Sequence, residues 1–139
     1  MKSFAAAALL LASACALLTE ELAVRASPQQ YSPAMSSSPG IGLTPVFTPP
    51  AGTTARYRWT TNFGGFVSWN PPDYKVVPRG SDPTGSEGTL YWTYDPRLAL
   101  LGKPVVSIVV EAIDPESGRV LARSKIKLDW DSDVARVRD

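Results

Sequence analysis

Few side chains in this chain of 139 residues could do chemistry, and their spacing says what each is suited to. "DWDSD" places Asp129, Asp131 and Asp133 at alternate positions. Oxygen ligands at that spacing open a calcium-binding loop, but such a loop needs glycine at its sixth position, and that position is Val134. On an extended strand the three carboxylates share a face and repel unless neutralised, so a solvated strand end is expected rather than a metal site. Asp114 and Glu116 could be mistaken for an acid–base pair. They lie in "DPESG", whose Pro115 and Gly118 suit a tight hairpin turn. Ser107 and Ser124 sit in strand-like runs, and the chain holds no histidine to activate either. "PRGSDPTGSEG" has glycines but lacks the lysine and the helix start of a phosphate-binding loop. No catalytic residue, metal site or cofactor is expected.

What remains is aromatic. "YRWTTNFGGFVSW", residues 57–69, packs five aromatic side chains and an adjacent glycine pair into thirteen positions. Tyr57 and Trp59 share one face of an alternating strand, so Trp59 is expected as a core anchor. Phe63 and Phe66 flank the glycines and are expected to close one end of the fold. Trp69 stands just before the turn "NPPDY", and Tyr91 points opposite to Trp92. Exposed aromatics offer a large apolar face at small entropic cost. Trp69, Tyr74 and Tyr91 are therefore the candidate binding residues, weighed against ordinary packing of a small domain's rings.

Strands must position these groups. "ARYRWTT" and "TLYWTY" alternate apolar and polar residues, the period of a half-buried strand. "PVVSIVVEAID" (104–114) is nearly continuous and β-branched, as a central strand requires. "RVLARSKIKLDW" puts Val120, Ala122, Ser124, Ile126, Leu128 and Trp130 on one face, with Leu121, Arg123, Lys125, Lys127 and Asp129 on the other. "TPPAGTT" and "NPPDY" read as turns, and "KVVPRGSDPTGSEG" as a polar loop around a two-valine strand. "DPRLALLGK" reads as a connection with one helical turn at Leu98 to Leu101. Short strands at regular spacing, with no helical period, predict an all-β antiparallel sandwich.

Lys and Arg number 14 against 13 Asp and Glu, a balance that gives no electrostatic footprint for nucleic acid. The N-terminus has one positive charge at Lys2, then an unbroken run of apolar and small residues from Phe4 to Leu18. That run is too short for a spanning helix and fits the apolar region of an export signal. Two processing sites compete. Val24, Arg25 and Ala26 suit cleavage before Ser27, giving a signal of residues 1–26. Alternatively "LASAC" resembles a bacterial lipobox, which implies a lipid on Cys15, the sole cysteine, after a signal of 1–14. Ala12 departs from the leucine usual there, and apolar residues follow the cysteine. Either way the folded part is expected outside the cytoplasm, secreted or anchored by acyl chains on Cys15. Residues 27–40, "SPQQYSPAMSSSPG", carry no charge and read as a flexible Ser/Pro linker, with room for a weak edge strand. The sandwich is expected over 41–131, followed by a charged tail at 132–139.

The order of "GIGLTPVF", a Pro/Gly turn, "YRWTTNFGGF", a loop, "GTLYWTY" and then "PVVSIVVEAIDPESGRVLARSKIKLD" resembles bacterial Ig-like modules, particularly of the polycystic-kidney-disease (PKD) type, over about residues 41–131. The resemblance makes Trp59 the core tryptophan, Asn62 to Gly65 the turn after it, and Asp114 to Gly118 the last hairpin. The chain has "TTNFGGF" where that family carries an acidic and glycine signature. The resemblance implies extracellular adhesion, spacing or binding without catalysis. The expected partner is a cell-envelope protein or a glycan, with membrane contact only through Cys15. The alternative is a carbohydrate-binding module using the exposed aromatics.

Overall fold

The structure is a computed structural model and describes residues 21–85 and 88–138. The expected signal segment up to residue 20, with Cys15 and the residues that resemble a lipobox, lies outside the described residues. The strands run in chain order β1 (Ala23–Ala26), β2 (Gln30–Tyr31), β3 (Ile41–Val46), β4 (Arg56–Thr61), β5 (Gly65–Asn70), β6 (Lys75–Gly80), β7 (Thr84–Gly85), β8 (Leu90–Thr93), β9 (Val106–Ile113), β10 (Val120–Asp131) and β11 (Val134–Val137). One turn of helix, α1 (Pro96–Ala99), interrupts them. They form two antiparallel sheets, ordered β1-β3-β8-β5-β6 and β2-β11-β10-β9-β4-β7. The all-β sandwich expected from the sequence is therefore the observed architecture.

Alternation builds the core between the sheets. Along β9, Val106, Ile108, Val110 and Ala112 are all fully buried, and β4 contributes Tyr57 and Trp59 beside them. The facing sheet contributes Ile41, Leu43, Phe66 and Trp92. A period of two sends alternate side chains of each strand inward, so both sheets give one face to this core. The β9–β10 pairing runs from Val106↔Leu128 to Ile113↔Val120, with a register shift between Val120 and Ala122 that sets Leu121 out of the ladder. The hairpin turn at 114–118 is closed by the Asp114 carboxylate, which accepts from the Glu116 amide at 3.0 Å and the Ser117 hydroxyl at 3.0 Å.

Gly64 shows why the glycine pair stands where it does. Its φ is +76°, and a Cβ there would lie 2.4 Å from the Thr93 carbonyl oxygen and 3.0 Å from the Trp92 indole. The backbone can pass over the tryptophan only without a side chain. In the same place the Trp92 Nε1 donates to the Phe63 carbonyl at 2.9 Å.

Four segments differ from the sequence expectation. Residues 27–40 are not a loose linker: β2 pairs with β11, and Tyr31 and Ser32 are buried. Residues 132–139 are not merely a charged tail: β11 pairs with β10 through a tight turn at Ser132, and Ala135 is fully buried. Ala23–Ala26, inside the longer signal assignment, pair with Leu43–Val46 as the edge strand β1, next to a buried Leu22. The helical turn covers Pro96–Ala99 rather than Leu98–Leu101, because the Asp95 carboxylate accepts from the Arg97 amide and caps it two residues earlier. The first three share one cause. Each strand is short and is ordered by pairing outside its own segment: β1 with β3, β2 with β11, and β11 with both β10 and β2. Composition within a window cannot register that.

Candidate functional site

The sheet containing β5, β6 and β8 has one face in the core and one face away from it. Phe66 and Trp92 are paired across β5 and β8 and point inward. Alternation then sends Val67, Trp69 and Tyr91 outward. Val67 pairs with Tyr91, and Trp69 pairs with Val76 of β6. The β5–β6 hairpin returns through residues 71–74, and the Tyr74 amide donates to the Asn70 carbonyl at 2.9 Å. Tyr74 has φ +50°, the left-handed region that a bulky side chain adopts at a cost of about 1 kcal/mol or more. That conformation sets its ring against Trp69.

The result is a trio. The Trp69 and Tyr74 ring centroids are 5.1 Å apart at 61°, and those of Trp69 and Tyr91 are 5.4 Å apart at 88°. The three residues singled out from the sequence are thus brought together on one outer face. Tyr74 is 51% exposed and Val76 49% exposed, whereas Trp69 and Tyr91 are partly covered and Val67 is buried, so the patch is open towards its hairpin end. Gly42 lies under the Tyr91 ring: a Cβ there would stand 2.9 Å from it and 2.4 Å from the Ser27 carbonyl oxygen. The neighbouring hydroxyls of Thr44 and Thr89 bond each other at 2.6 Å. Among the described residues, neither the Trp69 indole N–H nor the two tyrosine hydroxyls of the trio has a protein hydrogen-bond partner. The patch therefore offers apolar ring surface together with three uncommitted polar tips. Such a surface can bury apolar area and form hydrogen bonds to an incoming ligand. It offers no nucleophile and no proton-transfer pair.

The carboxylates take other places. Asp129 binds Arg138, with Arg138 Nη2 2.6 Å from Oδ1; Asp131 lies 3.5 Å from Arg136; Asp133 lies 3.0 Å from Lys103. The three acids that could have opened a metal loop each hold a separate cation, and no metal-binding group of three ligands occurs among the described residues. The Arg138 hydrogen bond holds the Asp129 carboxyl below the usual range. Asp114 is lowered likewise, chiefly by the Glu116 amide. Both are turn and strand-end groups, as their positions in the sequence suggested. Burial raises the Tyr94 phenol, and the Asp133 charge adds to that shift.

A cleft of about 210 Å³ opens on the inner side of the β5–β6 hairpin, between Ser68, Asn70, Arg79 and Thr84, with Trp59 in its wall. The alternating pattern hid it, because it needs the hairpin to overhang the facing sheet. β6 is exposed along its whole length. Among the described residues no helix is long and apolar enough to cross a membrane.

The fold defines the class to which this chain belongs, a two-sheet antiparallel β-sandwich. No family model, no curated protein and no solved structure matches it.

Proposed function

We propose that this chain is an exported, noncatalytic Ig-like module that binds a cell-envelope protein or glycan through Trp69, Tyr74 and Tyr91. One observation carries the reading. Three aromatic side chains meet on a partly exposed sheet face with their polar tips without a partner among the described residues, while Trp92 and Tyr94 in the core keep theirs bonded internally. A face that served only the fold would be polar, since it meets water. The perpendicular rings make a ridge rather than one flat platform, which suits a shaped protein surface or the end of a glycan better than a flat polysaccharide chain. A role for β6 in adding a strand has less support, since Pro78 removes one amide from that edge. Binding is tested by immobilising the protein on glycan arrays and on fractionated envelope proteins. Trp69→Ala and Tyr91→Ala are expected to abolish the wild-type profile while the variants stay folded. An unchanged profile overturns the reading.

The position of β1 bears on how the N-terminus is processed. Cleavage before Ser27 would remove β1 and the buried Leu22, whereas processing at Cys15 keeps both. The lipobox reading is the one this favours, with about six residues between the acylated cysteine and Leu22. The intact mass of the protein from its host's membrane fraction tests it. A chain beginning at Cys15 with acyl chains is expected, and an unmodified chain beginning at Ser27 refutes it.

A further inference from the structure

The outer face of the six-stranded sheet carries a charge that the balance over the whole chain conceals. Alternation along β10 sends Arg123, Lys125 and Lys127 outward, and all three are exposed. The exposed Arg56 and Arg58 of β4 point to the same side, because Arg58, Glu111 and Arg123 stand in one row across β4, β9 and β10. The three acids on the strands of this sheet are each engaged: Glu111 by Arg58, Asp131 by Arg136 and Asp129 by Arg138. Arg56, Arg123, Lys125 and Lys127 take part in no ion pair among the described residues. Four cations are thus left unmatched on one face, whereas the whole chain has an excess of one.

The layout of these cations points to their partner. Alternate residues of one strand lie about 7 Å apart, and β4 and β10, with β9 between them, about 10 Å apart. The unmatched charges therefore spread in two dimensions over a sheet face and do not line a groove. Between them stand Thr60, Ser107 and Val109, short side chains beyond which lysine and arginine project. No aromatic ring shares the face: Tyr31, Tyr57, Trp59 and Trp130 of this sheet all pack on its core side. Nucleic-acid bases and sugar rings are held by stacking on aromatic faces, which are missing here. An anionic phospholipid surface needs no stacking. It is bound through charge alone by clusters of about four to eight Lys and Arg.

We infer that the outer face of β4, β9 and β10 docks on an anionic phospholipid surface. The contact needs no acyl chain on Cys15 and holds whether or not that residue is modified. It leaves the other sheet, with Trp69, Tyr74 and Tyr91 on its outer side, turned away from the bilayer and open to a partner. Each cation near the surface contributes about fivefold to partition. The attraction is screened by salt, and little of it survives at 1 M, where it reaches only about 3 Å.

Co-sedimentation of the full chain tests this with two kinds of vesicle, phosphatidylcholine alone and phosphatidylcholine with phosphatidylglycerol at about two parts to one. The apolar run Phe4 to Leu18 can enter either bilayer, so the quantity read is the ratio of partition into anionic and neutral vesicles. A ratio of about several hundred is expected at low salt, collapsing at about 1 M salt. The triple variant Arg123→Gln, Lys125→Gln, Lys127→Gln is expected to stay folded, since all three side chains are exposed, and to lower the ratio about a hundredfold. Arg25→Gln, Lys75→Gln, Arg79→Gln removes the same charge from the other sheet and is expected to keep the ratio within about threefold of wild type. Equal partition into the two vesicles overturns the inference. So does a first variant that keeps the wild-type ratio, or a second that loses as much as the first, which would trace the binding to net charge and not to this face. Duplex DNA or a soluble polyuronate that binds the face more tightly than the vesicles do would assign it to a linear polyanion, and overturns the inference too.

Discussion

Two groups of aromatic rings in this molecule are built from the same residue types and differ in what surrounds them. At one end of the core, Phe63, Trp92, Tyr94 and Trp130 pack with Tyr31, and Tyr94 touches Trp130 at 5.0 Å. Their polar atoms are all used. Trp92 donates to Phe63, Tyr94 to the Asp133 carbonyl at 2.7 Å, and Trp130 to the Pro104 carbonyl at 2.8 Å. On the outer face, Trp69, Tyr74 and Tyr91 pack at similar distances, and their tips have no protein partner among the described residues. The rings of the first group hold the two sheets together, and a buried polar tip must be satisfied inside. The second group's tips face water, so nothing in folding requires them to be paired. Ring geometry alone does not separate structure from recognition. What separates them is where the polar ends of the side chains are directed.

Removing one ring from each group sharpens that contrast. Trp92→Ala is expected to have the largest effect, about 3–5 kcal/mol of lost stability, because it empties a fully buried site. Chemical denaturation monitored by circular dichroism measures it. Trp69→Ala is expected to cost less, about 1–2 kcal/mol, since its ring is partly exposed rather than enclosed, and to act on binding as well. Equal losses at the two positions would make the outer trio a second core element and remove the argument for recognition. The smallest effect expected is electrostatic. The Asp114 and Asp129 carboxyls titrate lower in the folded chain than in the unfolded one, by way of the Glu116 amide and Arg138 respectively. Their stabilisation is therefore complete above the unfolded value and is lost as pH falls through the lowered folded value. Melting temperatures of Asp114→Asn should fall less steeply than wild type between about pH 5 and pH 2. A variant with the wild-type slope would show that this turn does not take part in acid sensitivity.

The strands that were legible in the sequence were those whose pattern is internal to one segment. The β-branched run of β9 and the alternation of β4 and β10 needed no knowledge of partners, and Trp59 followed from its phase. The outer trio was legible for the same reason: if Trp92 is inside, Tyr91 is outside. β1, β2 and β11 were not legible. β1 depends on pairing with Leu43–Val46, and the buried Tyr31 of β2 and Ala135 of β11 face each other from over a hundred positions apart, as the Arg136–Gln30 bond also shows.

The pairing of β2 with β11 also has a consequence in time. β2 lies at the edge of its sheet, and β11 is its sole neighbour there. A chain delivered from its N-terminus, by a ribosome or through a pore, cannot seat Tyr31 until Val134–Val137 has arrived. The earliest part of the sheet to be delivered is the last to be completed. Until then Tyr31 and the unfilled edge of β10 are open to other chains, so the four-residue strand β11 works as a latch that closes this edge only once it has been delivered.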